Sequence, residues 1–328
     1  VSEQPPMQVQ CAGKASVAQH STCQRRATAY ALTNLRVEPR SKRGMMLNDN
    51  HILLIHPLGY SAGSAKHDIT RVANLMPPLG LASIAAYLEQ KGLSADIVDC
   101  FAHPDSDDRI RELLRDKRPA YIGVSVTTSS FVDGVRIIEL AKSELPGIKG
   151  IMGGAHISAL RERVLEATPQ VDYTVIGEGE EAVEGLMRSG GSGLTGIPGI
   201  VYRDGDDVLF SGHRGKGIEL DSLPFPAYEK LSGYPDTYKL PIFNYPTAPN
   251  ASCISSRGCP YECSYCDRSV FRKSFRFNSA EYLYEHLRYL KERWGIRHIN
   301  FYDDQFTFHR RRVKEFCDMM IERPLNMT

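Results

Sequence analysis

Cys259, Cys263 and Cys266 place three thiols within eight residues, in the run Ser255-Ser256-Arg257-Gly258-Cys259-Pro260-Tyr261-Glu262-Cys263-Ser264-Tyr265-Cys266. An iron–sulfur cube has four corners, so a loop that ligates three irons leaves one corner for a small-molecule chelate. Zinc normally takes a fourth protein ligand, for which Cys253 or His309 is the candidate. Gly258 and Pro260 suit a tight, exposed loop that turns backbone N–H groups toward cluster sulfides, although zinc loops use such residues too. The flanking sequence has to separate the two readings.

Upstream, Asn250-Ala251-Ser252-Cys253-Ile254-Ser255 reads as a short apolar strand leading into the triad. Downstream, Ser279 is a candidate N-cap, Leu283, Leu287, Leu290 and Trp294 recur at i, i+4, i+7 and i+11, and Gly295 is the stop, which predicts a core-facing helix. Ile296 to Tyr302 alternates toward a strand that ends in Asp303 and Asp304, and Arg310 to Ile321 predicts another helix. Strand, cysteine loop, helix, strand, acidic loop and helix form the opening of a parallel βα barrel, whose chemistry sits at the C-terminal ends of its strands.

In that setting the triad resembles the cluster loop of radical S-adenosylmethionine (SAM) enzymes. The resemblance implies a [4Fe-4S] cluster on Cys259, Cys263 and Cys266, with SAM on the fourth iron and the aromatic Tyr265 near its adenine. Asp303 and Asp304 stand where such enzymes often carry a Gly-Gly-Glu-like stretch that holds the SAM amino group. The sequence here is Tyr302-Asp303-Asp304-Gln305, so the likeness is one of position and charge. A carboxylate there could pair with an ammonium, or one of the two could simply cap the following helix.

From His51 onward the pattern is doubly wound. His51 to Pro57 is a buried strand, and Leu79 to Gln90 is a helix introduced by Pro77-Pro78 and stopped by Gly92. Ala95 to Asp99, Tyr121 to Val126, Gly150 to Met152 and Tyr173 to Ile176 are further short apolar strands separated by helical patterns. Repeated βα units with fully apolar strands predict a parallel sheet covered on both faces, an α/β Rossmann-like domain over residues 48–190. Such a domain binds its ligand in the loops at the carboxyl ends of the strands. Three of these are pointed: Ser125-Val126-Thr127-Thr128-Ser129-Ser130, Gly153-Gly154-Ala155-His156 and Gly177-Glu178-Gly179-Glu180.

Together with the Pro77-Pro78-Leu79-Gly80-Leu81 helix start, these loops resemble the cobalamin-binding domain that precedes the barrel in B12-dependent radical SAM enzymes, which include methyltransferases and the anaerobic magnesium-protoporphyrin ester cyclase. The likeness covers roughly residues 50 to 324. It implies that Ser125, Thr127 and Ser129 line the slot for the nucleotide tail. Gly153, Gly154 and His156 would pass its ribose and phosphate, and Gly177, Glu178 and Gly179 would form the neighbouring wall. Singly, each has an ordinary reading: a Gly-Gly turn, a loop histidine, a helix N-terminal carboxylate at Glu178 or Glu180. The loop from Leu58 to His67 lacks the Asp-x-His-x-x-Gly pattern, so the cobalt is expected to have no histidine lower ligand.

Residues 191–248, rich in glycine and proline, are expected to form a linker with a hairpin around Asp204-Gly205, followed by the extended connector Leu223 to Tyr228. It is expected to pack rather than to do chemistry. Residues 249–328 are expected to be the N-terminal part of the barrel. About 60 residues follow Cys266, whereas a complete barrel needs on the order of 200, so the chain is expected to be a fragment, inactive alone. Residues 1–47 have no hydrophobic periodicity and only Glu3 and Glu38 as acids. They are expected to be a disordered extension ahead of a start at Met45-Met46, a transit peptide being the alternative.

A net charge of +1 gives no steering toward nucleic acid, and no apolar run is long enough to span a membrane. Outside the triad the cysteines are scattered, which argues against a disulfide framework and for a reducing cytoplasm. The resemblance implies reductive cleavage of SAM and radical methyl transfer to an unactivated carbon of a small-molecule substrate. An external one-electron reductant of the flavodoxin or ferredoxin type would supply the cluster. Oxidative cyclisation of a porphyrin-type substrate and a non-catalytic cobalamin- or metal-binding module are the alternatives.

Overall fold

Ile52, Leu53, Leu54 and Ile55 are each at most 2% exposed, as a strand must be when both faces of its sheet are covered. They form the centre of β1 (Asn48–His56). This computed structural model describes residues 46–60, 75–213, 215–238 and 247–328. The expected extension, apart from Met46 and Leu47, lies outside the described residues, as does the first strand-end loop beyond Tyr60.

β1 pairs in parallel with β2 (Ser94–Asp99) on one side and β3 (Pro119–Ser125) on the other. The sheet continues in parallel through β4 (Lys149–Gly153) and β5 (Tyr173–Val175). Two antiparallel strands, β6 (Ile200–Asp204) and β7 (Asp207–Phe210), complete the order β2-β1-β3-β4-β5-β6-β7. The hairpin read in the linker therefore extends this same sheet. Its turn is Gly205-Asp206, with Asp204 paired to Asp207 and Gly205 at φ +61.

Helices cover both faces. α1 (Leu79–Gln90) and α6 (Glu180–Ser189) pack over Ile52, Leu54, Tyr121 and Ile151. α2 (Asp107–Lys117), α3 (Phe131–Glu144), α4 (Ala155–Leu160) and α5 (Glu162–Ala167) cover Leu53, Ile55, Ile122 and Met152. α1 begins and ends where Pro78 and Gly92 predict.

The chain then crosses the α1 face. Ala227 N–H donates to Ala82 O at 3.0 Å, Tyr228 is fully buried, and Tyr238 Oη donates to Asp99 at 3.1 Å. β8 (Asn250–Cys253) pairs in parallel with β11 (His298–Phe301). Between them lie β9 (Ser256–Gly258), β10 (Phe275–Phe277) and α7 (Ala280–Trp294), and α8 (Arg310–Glu322) follows. Ser279 caps α7 by accepting Tyr282 N–H at 3.1 Å, and Gly295 ends it at φ +66. Ala251, Cys253, Leu283, Leu287 and Leu290 join the α1-side core of the sheet, so the βα unit and the Rossmann-like layer share one continuous apolar interior.

The antiparallel ribbon of β9 and β10 was not anticipated. It carries the cysteines in the loop at its tip, and its cross-strand pairs are Ser256 with Phe277, Arg257 with Arg276 and Gly258 with Phe275.

Gly154 has φ +103, and a Cβ there would lie 2.5 Å from Val126 O. Gly154→Ala is expected to cost roughly 2 to 4 kcal/mol through strain and overpacking. Gly80 in α1 has open space around it, and Gly80→Ala should stabilise by roughly 0.5 kcal/mol. Urea unfolding of both variants beside the wild type checks the contrast.

Candidate functional site

The strand ends and the ribbon enclose a cavity of about 350 Å³. One wall comes from the loops after β3, β4 and β5: Ser125, Gly153, Gly154, Gly177, Glu178 and Gly179. The floor is Leu54, Ile151 and Val175, and Leu223, Pro224, Pro226 and Tyr228 reach in from the connector. The opposite wall is Arg257, Gly258, Val270, Phe271, Tyr282, His286, Tyr302 and Asp304. Glycine backbone on one side and aromatic and aliphatic side chains on the other suit a broad, largely apolar ring with polar edges.

Of the three predicted cobalamin loops, Thr127, Ser129 and His156 lie outside this lining. After Val126 the chain turns through residues 127–130 into α3, leaving Thr127 and Ser129 exposed, with their hydroxyls 3.0 Å apart. His156 sits with Nδ1 3.0 Å from Thr128 Oγ1 and its ring 4.7 Å from that of Phe131. His56, at the end of β1, is held through Nδ1 by Asp99 at 2.8 Å.

The cysteine loop rises beside the cavity. Gly258 has φ +82, and a side chain there would collide with Ser274 O, so only glycine lets the ribbon close beneath the loop. Cys259 is half-buried while Cys263 and Cys266 are exposed, and all three are free thiols. Cys266 N–H donates to Cys263 O at 3.1 Å. Among the described residues no three His, Cys, Asp or Glu side chains are gathered closely enough to hold a metal ion, so the three sulfurs share a loop without converging. Tyr265 is 90% exposed and stands away from the cavity.

Both candidate fourth ligands for zinc have partners of their own in the fold. Cys253 is fully buried, with Sγ 3.8 Å from His286 Nδ1, and desolvation pushes its thiol well above the ordinary range. His309 is the N-cap of α8, accepting Arg312 N–H at 3.3 Å. The loop itself supplies three protein donors, the set that fits a cube with one open corner.

The two aspartates after β11 have separate situations. Asp303 accepts Ser255 N–H at 2.9 Å, Ser255 Oγ–H at 3.0 Å and Ser256 Oγ–H at 2.5 Å. Behind it Arg312, 2% exposed, donates to Ser255 Oγ. Asp303 thus fixes the joint between β8 and β9. Asp304 is exposed and lines the cavity, and neither aspartate caps α8.

Two clusters escaped the sequence reading. Arg257 donates to Glu178 and Glu180, both at 2.7 Å, Arg276 donates to Glu178 at 2.6 Å, and Ser83 donates to Glu180 at 2.9 Å. Burial would favour a neutral Glu180, but Arg257 and Ser83 hold its carboxyl below the ordinary range. The second cluster is His286, whose Nε2 lies 3.0 Å from Tyr228 Oη and whose ring stacks on Phe225 at 4.7 Å. Both clusters join residues far apart in the chain, so no local spacing announces them.

A B12 binding domain model matches residues 66–187, and a radical SAM superfamily model matches residues 253–326. Over 268 residues the chain is 32% identical to an uncharacterized methyltransferase of Pyrococcus horikoshii, covering 80% of this chain and 55% of that protein. It is 28% identical over 287 residues to the anaerobic magnesium-protoporphyrin IX monomethyl ester cyclase of Rubrivivax gelatinosus, covering 84% and 49%. The chain spans about half the length of these curated relatives. Among solved structures, the radical SAM methyltransferase TsrM from Kitasatospora setae, with cobalamin and a [4Fe-4S] cluster bound, superposes with TM-score 0.62 at 17% identity, over 84% of this chain and 51% of that one. The cobalamin-dependent SAM radical enzyme OxsB, with aqua-cobalamin and SAM bound, does so with TM-score 0.69 at 19% identity, over 85% and 38%.

A Rossmann-like B12-binding domain is thus joined to the opening βα unit of a radical SAM domain. The chain belongs to the B12-dependent radical SAM family. Among the described residues no helix is long and apolar enough to cross a membrane.

Desolvation pushes His286 down to about 4 from 6.5. Between those values the unfolded chain binds a proton that the folded chain refuses, so stability rises with pH across that window and is lost as pH falls through it. Lowering the pH from 7 to 5 should cost the wild type about 2 kcal/mol from this group. His286→Phe should flatten that part of the slope in urea unfolding at the two pH values.

Proposed function

We propose that this chain belongs to a cobalamin-dependent radical SAM methyltransferase, with a [4Fe-4S] cluster on Cys259, Cys263 and Cys266, SAM at the open corner, and cobalamin in the cavity at the strand ends. The observation that carries this reading is the cavity itself. Its two walls are the predicted cobalamin loops and the base of the cysteine loop, so one space borders both cofactor regions.

When bound, the cofactors supply an electron to SAM and a methyl group to a substrate carbon; the chain binds and orients them. Gly153, Gly154, Gly177 and Gly179 admit a cofactor against bare backbone, Ser125 offers a hydroxyl beside them, and Glu178 belongs to the same wall. Thr127, Ser129 and His156, exposed beyond the turn, would meet only a part of the cofactor that extends past it. Of the acidic pair, Asp304 is the carboxylate available to the SAM ammonium, because Asp303 already accepts three hydrogen bonds. Tyr265 is assigned to the adenine. Residues 48–190 form the cobalamin unit, 191–248 connect it to the barrel and contain the β6–β7 hairpin that extends its sheet, and 249–328 open the barrel.

The substrate is a small molecule, the electron donor is a flavodoxin- or ferredoxin-type protein, and the reducing cytoplasm is the compartment. The likeness to the Rubrivivax cyclase makes oxidative ring closure the second reading.

Anaerobic iron and sulfide reconstitution should give about four irons per chain, and Cys263→Ala should abolish the cluster absorbance. Tight stoichiometric zinc without iron uptake would overturn the assignment. On reconstituted protein, Asp304→Asn should weaken SAM binding about tenfold by equilibrium dialysis, the loss of one charge-assisted contact. Equal affinity in wild type and variant would remove Asp304 from the site.

A further inference from the structure

We propose that Arg257, Arg276, Glu178 and Glu180 form a positioning clamp that holds the cysteine-bearing ribbon against the β5–α6 turn and thereby sets the separation of the two cofactors. The second half of that statement rests on the functional reading above; the first half stands on the chain's own geometry.

Arg257 and Arg276 are direct cross-strand partners on β9 and β10. Like charges in that position destabilise an antiparallel pair. Among the described residues, the carboxylates paired with them lie on the other side of the cavity. Arg257 donates to Glu178 and Glu180 at 2.7 Å, and Arg276 to Glu178 at 2.6 Å, across separations of 77 to 98 residues. The four charges balance within the group. The ribbon is therefore electrostatically satisfied only when docked on the turn after β5.

The burial shows that this is no surface pairing. The side chains of Glu180, Glu178 and Arg257 are 3%, 14% and 17% exposed. At such depth a well-packed apolar pair would often stabilise as much or more, whereas removing one partner strands a buried charge. What forked guanidinium contacts add is orientation, since they tolerate little displacement.

The clamp also sits at the place where orientation matters. Arg257 is followed directly by Gly258 and Cys259, while Glu178 lies between Gly177 and Gly179 on the facing wall. A shift of the ribbon moves the base of the cysteine loop relative to the strand-end loops, and reactions between held groups lose rate steeply with small misplacements.

The test compares the full chain with Arg257→Met and with the double variant Arg257→Met/Glu180→Met. The single variant strands Glu180 and should lower the urea midpoint. The double variant removes both partners and should recover it. In the apo proteins, amides of Ser256–Gly258 and Phe275–Phe277 should exchange hydrogen about tenfold faster in the double variant than in the wild type, although global stability is regained. In proteins loaded with cluster and cobalamin, the electron spin coupling between the reduced cluster and cob(II)alamin should report a broadened separation in the double variant at unchanged iron and cobalt content. Wild-type ribbon protection in the stability-restored double variant would overturn the clamp. A broadened ribbon exchange with an unchanged spin separation would overturn its role between cofactors. Failure of the wild type to take up either cofactor would count against the proposed function while leaving the exchange result to decide the clamp.

Discussion

Parallel pairing of β1 to β5 brings the carboxyl ends of five strands to one edge of the sheet, and every other feature of the candidate site follows from that. The helices that return the chain occupy the faces, which leaves the loops after β3, β4 and β5 side by side at that edge. On the α1 face the cover is completed by the connector and by α7. Tyr228 and Leu231 share an apolar interior with Leu283, Leu287 and Leu290. The βα unit that carries the cysteines is thereby packed against the same layer whose strand ends it faces, and the cavity is the gap left between them.

Two polar networks hold the base of the cysteine loop. Asp303, Ser255, Ser256 and Arg312 tie the β8–β9 joint to the end of β11. Arg257, Arg276, Glu178, Glu180 and Ser83 tie the ribbon to the β5–α6 turn and α1. Both consist of buried or half-buried side chains that each have a partner, as low dielectric surroundings require, although the Nε atoms of Arg276 and Arg312 are buried without one among the described residues. The loop between them, from Cys259 to Cys266, is largely exposed. A rigid base with an exposed tip is the arrangement expected of a loop that must close around a cofactor without disturbing the fold beneath it.

Elements with long or strongly punctuated patterns were legible. α1 lies between Pro78 and Gly92, and α7 lies between Ser279 and Gly295, because caps and stops act locally and their energetics survive any tertiary context. The short antiparallel ribbon was not legible. Its strand Phe275-Arg276-Phe277 is three residues long, and alternation over three residues does not distinguish a strand from a loop. The acidic pair was legible as a pair but not as two roles, since only the folded chain shows Ser255 and Ser256 donating to Asp303 while Asp304 remains at the cavity. Likewise the hydroxyl-rich loop after β3 reads as one unit in sequence, yet the turn at Val126 keeps Ser125 at the cavity and takes Thr127 and Ser129 away from it.

By itself the sequence determined the order of βα units, the apolar strands that make the sheet parallel and buried, the triad of thiols and the glycines at the strand ends. These depend on residue type and near-neighbour spacing, which act before the chain is folded. Tertiary structure alone decided that Cys253 is buried and His309 caps α8, that Asp303 is structural, and that Arg257 and Arg276 find their counter-charges on the far wall. Pairing across such distances depends on which faces the apolar core brings together, and burial then turns an ordinary surface charge into one that must have its partner.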